Sequence, residues 1–319
     1  MRDDNLAVGD QWDSEYHAPV LATEVLELLK GCSTVLDGTL GGGGHAQALL
    51  EAGAHVTATD RDPQAIAAAR TRLGKWQDEG RFAAVQANYA DIHHVPALAG
   101  ASFEGILLDL GISSHQVDDT QRGFSFREGA PLDMRMGGDA SRQAAQLLNE
   151  AEEPELVQLF REYGDEPRAA RLAHEIVRRR GNRPFVTSDD LVGAIRGALG
   201  ARSGAGDFAR LFQAVRIAVN DELAALARAL PALRDRLTPG GVLAVIAYHS
   251  GEDRLVKHAF RDWSQACTCP PRQPFCNCGG DHALGEVITR RALVAQPAET
   301  ARNPRARSAR LRGWRRNAA

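Results

Sequence analysis

No hydrophobic run in this chain is long enough to cross a bilayer, and the polar opening Met1-Arg2-Asp3-Asp4-Asn5 has none of the apolar character of a secretory signal. Neither a membrane protein nor an exported one is expected, and the cytoplasm is the expected location. Charge of one sign is also missing: the 319 residues carry a net charge of −3, too little to announce a nucleic-acid partner by itself. Cysteine is nearly absent outside one stretch. Of five, four crowd into Cys267-Thr268-Cys269-Pro270-Pro271-Arg272-Gln273-Pro274-Phe275-Cys276-Asn277-Cys278. In a cytoplasmic chain such a cluster suggests zinc before disulfides. The paired spacing is Cys-x-Cys, however, not the more usual Cys-x-x-Cys. A proline-rich excursion with free or redox-sensitive thiols stays open beside it, and no metal is assigned at this level.

What the chain does have is a glycine loop between a strand and a helix. The apolar run Thr34-Val35-Leu36 leads into Asp37-Gly38-Thr39-Leu40-Gly41-Gly42-Gly43-Gly44-His45, after which Ala46, Ala48, Leu49 and Leu50 restart a helical pattern. In an open α/β sheet such a turn lets backbone approach a nucleotide-like ligand with no Cβ in the way. A second strand, His55–Thr59, ends in Asp60, about 20 residues beyond the first loop, where a carboxylate can accept hydrogen bonds from ribose. Gly41-x-Gly43-x-x-Ala46 also satisfies the looser dinucleotide fingerprint, which makes a nicotinamide-dependent oxidoreductase the rival reading. Asp37 weighs against it. An acid at the end of the first strand repels a pyrophosphate and attracts the methionyl ammonium of S-adenosylmethionine.

The rhythm of the chain supports an α/β fold. An amphipathic helix over 17–30 leads in, and Pro63 opens an alanine-rich helix over Gln64–Leu73. Phe82–Val85, Gly105–Leu110 and Gly241–Ala247 read as third, fourth and fifth strands, the last preceded by a long helix running from Leu211 towards Leu237. Strands alternating with helices imply a parallel sheet. Between about Asp118 and Asp207 the rhythm breaks, and Gln143–Leu148, Glu155–Tyr163, Arg168–Arg180 and Ser188–Leu199 read as helices instead. The expected architecture is a Rossmann-like domain over 17–117 and 208–319, interrupted by a small helical domain at 118–207, with a flexible segment at 1–16. Lying over the carboxyl ends of the strands, the insertion is expected to be a substrate-facing lid, with Gly200–Gly206 as its exit hinge. Residues 1–16 hold five acids against one arginine, and Ala301–Arg316 hold seven arginines and no acid. Ala309–Arg316 reads best as a final antiparallel strand with solvated arginines.

Six separated motifs, Asp37–His45, Asp60–Pro63, Asp109–Ser114, Arg122–Phe126, Pro131–Met136 and Asn303–Ser308, together resemble the MraW family of ribosomal RNA methyltransferases. The resemblance runs from His17 to the tail. It implies a class I methyltransferase that uses S-adenosylmethionine to methylate N4 of a cytidine in 16S rRNA, within the small ribosomal subunit, with no DNA and no membrane as partner. By the same resemblance Gly43, Gly44 and His45 contact the cofactor, Asp60 holds its ribose, Tyr89 lies beside the adenine, and Asp109 and Gln116 complete the binding set. Read from its own position, Tyr89 is open to a second reading, as a core aromatic after the third strand.

Two residues are candidates for catalysis. Cytosine N4 is a poor nucleophile because its lone pair is delocalised into the ring, so an enzyme must hold its N–H groups against acceptors and align it with the methyl. Many amino-methyltransferases use an Asp/Asn-Pro-Pro-aromatic loop after the fourth strand; this chain has Asp109-Leu110-Gly111-Ile112. Asp109 is the candidate N4 acceptor, or else serves chiefly the cofactor. His249, just after the fifth strand, is the second candidate, able to reach the cytosine edge or take up the released proton. Phe124, Phe126 and Arg135 are candidates for holding an unstacked base, or form a hydrophobic plug, and the arginines at 178–180 are candidates for phosphate.

Overall fold

A computed structural model of the chain describes residues 12–13, 18–112, 116–117, 119–270 and 273–318. Most of the 1–16 segment, His17 and the Ser113-Ser114 end of one motif lie outside the described residues. The chain divides into two compact units, one of Met1–Gly111 with Ala225–Ala319 and one of Ile112–Ala224.

The first unit is built on a seven-stranded sheet. Its strands are β1 (Thr34–Asp37), β2 (His55–Asp60), β3 (Phe82–Gln86), β4 (Phe103–Asp109), β5 (Leu237–Ala247), β6 (Gly285–Val287) and β7 (Arg310–Arg316). They lie in the order β3-β2-β1-β4-β5-β7-β6. The first five are parallel, while β7 runs antiparallel to β5 and β6 antiparallel to β7. This is the doubly wound, Rossmann-like sheet, with its switch point between β1 and β4. Strands covered on both faces read as unbroken apolar runs, which is why β1 and β4 were visible as such. One face packs Val35, Leu49, Leu73 and Trp76 into a core; the other packs Leu36, Leu108, Leu226, Phe260 and Trp314. The helix Pro63–Asp78 starts where expected, with Pro63 in its first turn and the Asp62 carboxylate accepting from the Gln64 N–H at 3.0 Å.

The tail is the expected antiparallel strand, with one difference. Arg310 and Arg315 are exposed, but Arg312 makes a two-pronged ion pair with Asp253, at 2.7 and 3.1 Å. The three-residue β6 has no sequence signature of its own. It forms because Gly285 lets backbone press onto the last strand: a Cβ there would lie 2.1 Å from the Arg315 carbonyl oxygen and 2.3 Å from the Trp314 ring.

The second unit is helical, with Ala144–Glu150, Glu153–Glu162, Ala169–Arg180, Ser188–Leu199 and Ala205–Asn220 around one core. Two expectations need correcting. The helix read as continuous from Leu211 towards Leu237 is two helices, Ala205–Asn220 and Glu222–Asp235, broken at Asp221, whose φ of 52° is left-handed. A short polar residue tolerates that conformation, and Asn220 beside it makes the break useful. Its side chain donates to the Met134 carbonyl at 2.7 Å and accepts from the Met136 N–H at 2.8 Å, fixing the preceding loop. In consequence Ala205–Asn220, through Phe208, Leu211, Phe212 and Val215, belongs to the helical unit, whose limits are 112–224 where the sequence suggested 118–207. Gly200–Gly206 therefore lies inside this unit and not at its exit. No helix among the described residues is long and apolar enough to cross a membrane.

Two glycines make opposite predictions in the first unit. Gly285→Ala should lower the unfolding free energy by about 1–3 kcal/mol through overpacking against Trp314. Gly74→Ala, where nothing lies within 4 Å of the added methyl on a helix, should raise it by about 0.5–1 kcal/mol. Chemical denaturation of the two variants checks both signs.

Candidate active site

Three parallel strands of the first unit end in carboxylates: Asp37 on β1, Asp60 on β2 and Asp109 on β4. The glycine loop is stitched down beside them. The Gly38 N–H donates to the Leu107 carbonyl at 2.9 Å, the Leu40 N–H to the Thr59 carbonyl at 3.0 Å, and the Thr59 hydroxyl to the Gly38 carbonyl at 3.1 Å. Both oxygens of Asp60 accept backbone N–H groups at 2.8 Å, from Gly41 and from Asp62. Each oxygen keeps a second lone pair for a ligand hydroxyl.

Asp37 is fully buried. One of its oxygens accepts from the Thr39 N–H at 3.1 Å; the other, Oδ2, is buried with no hydrogen-bond partner among the described residues. Burial, reinforced by the neighbouring charges of Asp109 and Asp60, pushes the Asp37 carboxyl up to about 7, and burial pushes Asp60 up to about 6. An orphaned buried acceptor among like charges is costly unless something cationic completes it.

Asp109 is held from several sides. Its backbone N–H donates to the Thr39 hydroxyl at 2.6 Å, and its carboxylate lies close enough to the buried Tyr248 phenol to act on it electrostatically. Burial, then the Asp109 charge, raises the Tyr248 phenol far above its ordinary value, so it is a donor and not an acid here. Gly111 makes this approach possible, because a Cβ there would lie 2.7 Å from the Tyr248 ring. Tyr248 carried no assigned role in the sequence reading. Its signal was its place one residue past β5, whose Ile246 pairs with Asp109. The His45 ring is buried: Nε2 donates to the Val20 carbonyl at 2.9 Å, and Nδ1 lies 3.7 Å from Asp109 Oδ2.

His249 proves to be a helix cap. Its Nδ1 accepts the N–H groups of Gly251 and Glu252, at 3.2 and 3.4 Å, while Glu252 reaches back to the N–H groups of Tyr248 and His249, at 2.8 and 3.3 Å. A ring nitrogen that accepts two N–H groups carries no proton, so the proton sits on Nε2, 3.2 Å from Glu252 Oε1. The lone pair that would make His249 a base is already engaged.

Tyr89 begins the turn Tyr89–His94 against the second core, and its Cβ would be 3.3 Å from a side chain at Gly38, which places it beside the loop. Gln116 is buried in the helical unit. There Phe126 meets Phe208 and Phe212 edge-on, with ring centroids 5.8 and 6.0 Å away, and the Arg135 guanidinium is bound by Asp133. Phe124 is buried in the core of this unit, whereas Phe126 keeps 38% of its surface exposed. Arg178 and Arg179 both bind Glu175, and Arg180 donates to the carbonyls of Leu148 and Ala151.

Residues 14–317 match the model of the MraW methylase family. The chain belongs to that family. It is 64% identical over 300 residues to the ribosomal RNA small subunit methyltransferase H of Gemmatimonas aurantiaca, a match covering 94% of this chain and 95% of that one. The protein of the same name from Heliobacterium mobile is 46% identical over 307 residues, covering 93% and 97%. Among solved structures, an rRNA methylase from Streptococcus thermophilus aligns over 93% of each chain at 11% identity, with a TM-score of 0.39. As an MraW methylase the chain is a class I methyltransferase, and its cofactor is S-adenosylmethionine.

The carboxylates fit that cofactor. Its charges are those of a sulfonium and an ammonium set against one carboxylate, and an ammonium would supply donors of the kind that Asp37 Oδ2 lacks. The spare lone pairs of Asp60 suit a ribose diol. The pH dependence follows with its sign. Asp37 and Asp60 hold protons in the fold that the unfolded chain has already released, so the cofactor-free protein should lose stability as pH rises through about 6 to about 7. Cofactor affinity should rise over the same window, as the carboxylates ionise, and level off above it. Asp37→Asn should flatten both profiles and weaken binding by about 10- to 100-fold, the loss of a charged hydrogen bond. Calorimetric titration across this range checks the shape; a wild-type affinity independent of pH would break the link between burial and binding.

Proposed function

We propose that this MraW methylase transfers a methyl group to N4 of a cytidine in 16S rRNA of the small ribosomal subunit, with Asp109 accepting an N4 hydrogen. The observation that carries this reading is the Asp109 carboxylate. It lies at the β4 end beside the buried Asp37, with the Tyr248 phenol next to it. Bound S-adenosylmethionine supplies an electrophilic methyl on a sulfonium. The work left to the protein is to make a poor nucleophile present its lone pair. Asp109, accepting one N4–H, turns that lone pair out of conjugation with the ring, and the adjacent Tyr248 phenol limits where the carboxylate can turn. His249 is a positioning residue: its cap with Glu252 fixes the turn that carries Tyr248. Gly43, Gly44, His45, Asp60 and Tyr89 form the cofactor set alongside Asp37.

A basic cleft in the same unit supports an RNA substrate. It has a volume of about 490 Å³, and Arg254, Lys257, His258, Arg307 and Arg310 outnumber its one acid, Asp253, in a lining that includes Tyr248 and His249. Phosphate binding there would bring the strand to the Asp109 turn, and a ribosomal substrate sets the work in the cytoplasm.

Small subunits lacking the modification, incubated with labelled S-adenosylmethionine and digested to nucleosides, should yield N4-methylcytidine; label on another atom would overturn the assignment. Asp109→Asn should lower kcat by about 10²- to 10⁴-fold. If Asp109 serves chiefly the cofactor, the loss appears in S-adenosylmethionine affinity instead. Tyr248→Phe should cost about tenfold in kcat, on the scale of one hydrogen bond. Replacing Arg254, Arg307 and Arg310 by Ala should weaken RNA binding and reduce its salt dependence by about one unit of slope for each phosphate no longer neutralised, leaving cofactor affinity unchanged.

A further inference from the structure

The four clustered cysteines belong to no part of the reaction site. They sit in an excursion between the helix Ser250–Trp263 and β6, closed at its base by the Leu284 N–H on the Trp263 carbonyl, at 2.8 Å, and the His282 N–H on the Ala266 carbonyl, at 3.0 Å. Among its described residues, from 266 to 284, none is buried. Apolar packing therefore cannot hold this stretch in one conformation. The thiols nevertheless converge. Sγ–Sγ separations are 3.6 Å for Cys267–Cys276, 4.0 Å for Cys269–Cys276, 3.5 Å for Cys276–Cys278 and 3.7 Å for Cys267–Cys278, and all four sulfurs lie within 4.8 Å of one another. A disulfide would bring a pair to about 2.05 Å. A tetrahedron of sulfurs around zinc, with Zn–S about 2.3 Å, has edges of about 3.8 Å. The observed spacings scatter around that edge.

We propose that Cys267, Cys269, Cys276 and Cys278 bind one structural zinc ion, which replaces the missing core of this excursion. Four thiolates close the tetrahedron and leave no position open for water, so the site is structural and not catalytic. Binding exchanges four S–H bonds for four S–Zn bonds and releases the protons to solvent. The Thr268 N–H, donating to Cys278 Sγ at 3.4 Å, is the kind of backbone support that a metal-bound thiolate receives. The Cys-x-Cys spacing that spoke against zinc in the sequence places two ligands on each arm, and the loop between Cys269 and Cys276 is long enough for the arms to face each other. One consequence is that Phe275, 84% exposed at the tip, is held in a fixed place and not on a loose loop.

The test uses the full chain purified under reducing conditions and exposed to Zn²⁺. One zinc per chain is expected by metal analysis, with these four thiols protected from a thiol reagent until a strong chelator is added. Cobalt in its place should give the intense thiolate charge-transfer spectrum of a tetrahedral sulfur site. A Cys276→Ser, Cys278→Ser double variant should retain no zinc yet keep its S-adenosylmethionine affinity, which shows that the chain has folded. Zinc retained by that variant, thiols of the wild type that titrate freely with zinc present, or a disulfide among the four in the reduced protein would each overturn the proposal.

Discussion

The crowding of three carboxylates, two of them buried and one half-buried, at the ends of adjacent parallel strands is the constraint from which the rest of this site follows. Parallel strands covered on both faces end in a low-dielectric crevice, and Asp37, Asp60 and Asp109 all end there. The charges of Asp109 and Asp60 both disfavour ionisation of Asp37. The fold offsets part of this cost by turning backbone N–H groups inwards: Thr39 onto Asp37, and Gly41 and Asp62 onto Asp60. The glycine loop is thus shaped by the carboxylates as much as by its own freedom. What the backbone does not supply, at Asp37 Oδ2, is what a ligand must bring. A dianionic pyrophosphate would add to the repulsion; an ammonium relieves it.

That logic was legible in the sequence because each of its parts is local. A buried parallel strand is an apolar run, and an acid at its end is visible without knowing the fold, so β1, β2 and β4 with their carboxylates could be read directly. The parts that escaped depend on contacts distant in sequence. Nothing near Leu211 signals that Phe208, Leu211 and Val215 pack against helices before them, so the helical unit was drawn too small. The break at Asp221 is one left-handed residue whose reason, the hold of Asn220 on Met134 and Met136, lies 86 and 84 residues away. Tyr248 was passed over because its partner Asp109 stands on the neighbouring strand. His249 looked like a base because histidine after a strand often is one; the capping partner that occupies it, Glu252, was in plain view three residues on.

The glycines carry a related lesson. Sequence reasoning gives them the task of clearing space for a ligand, yet two of them clear space for protein. A Cβ at Gly44 would meet Pro19 at 2.9 Å, and one at Gly43, whose φ is +78°, would meet Leu73 at 3.1 Å. They let the helix Gly44–Glu51 settle against the Pro19–Leu21 turn, which in turn receives the His45 ring at the Val20 carbonyl. A glycine fingerprint therefore says more about how tightly strand, loop and helix pack than about which nucleotide they hold. The distinction between cofactors rests on the acids.

Thr39 joins binding to chemistry. Its N–H donates to Asp37 at 3.1 Å, and its hydroxyl accepts the N–H of Asp109 at 2.6 Å. Asp109 is then held at its backbone by Thr39, two residues past β1, while Tyr248, one residue past β5, stands beside its carboxylate. A carboxylate so flanked loses little further freedom when a base arrives, so the ordering that a positioned displacement needs is already built into the empty fold. Because Thr39 touches both acids, effects at Asp37 and Asp109 cannot be independent, and a cation bound at Asp37 acts through Thr39 on the carboxylate proposed for the N4 hydrogen.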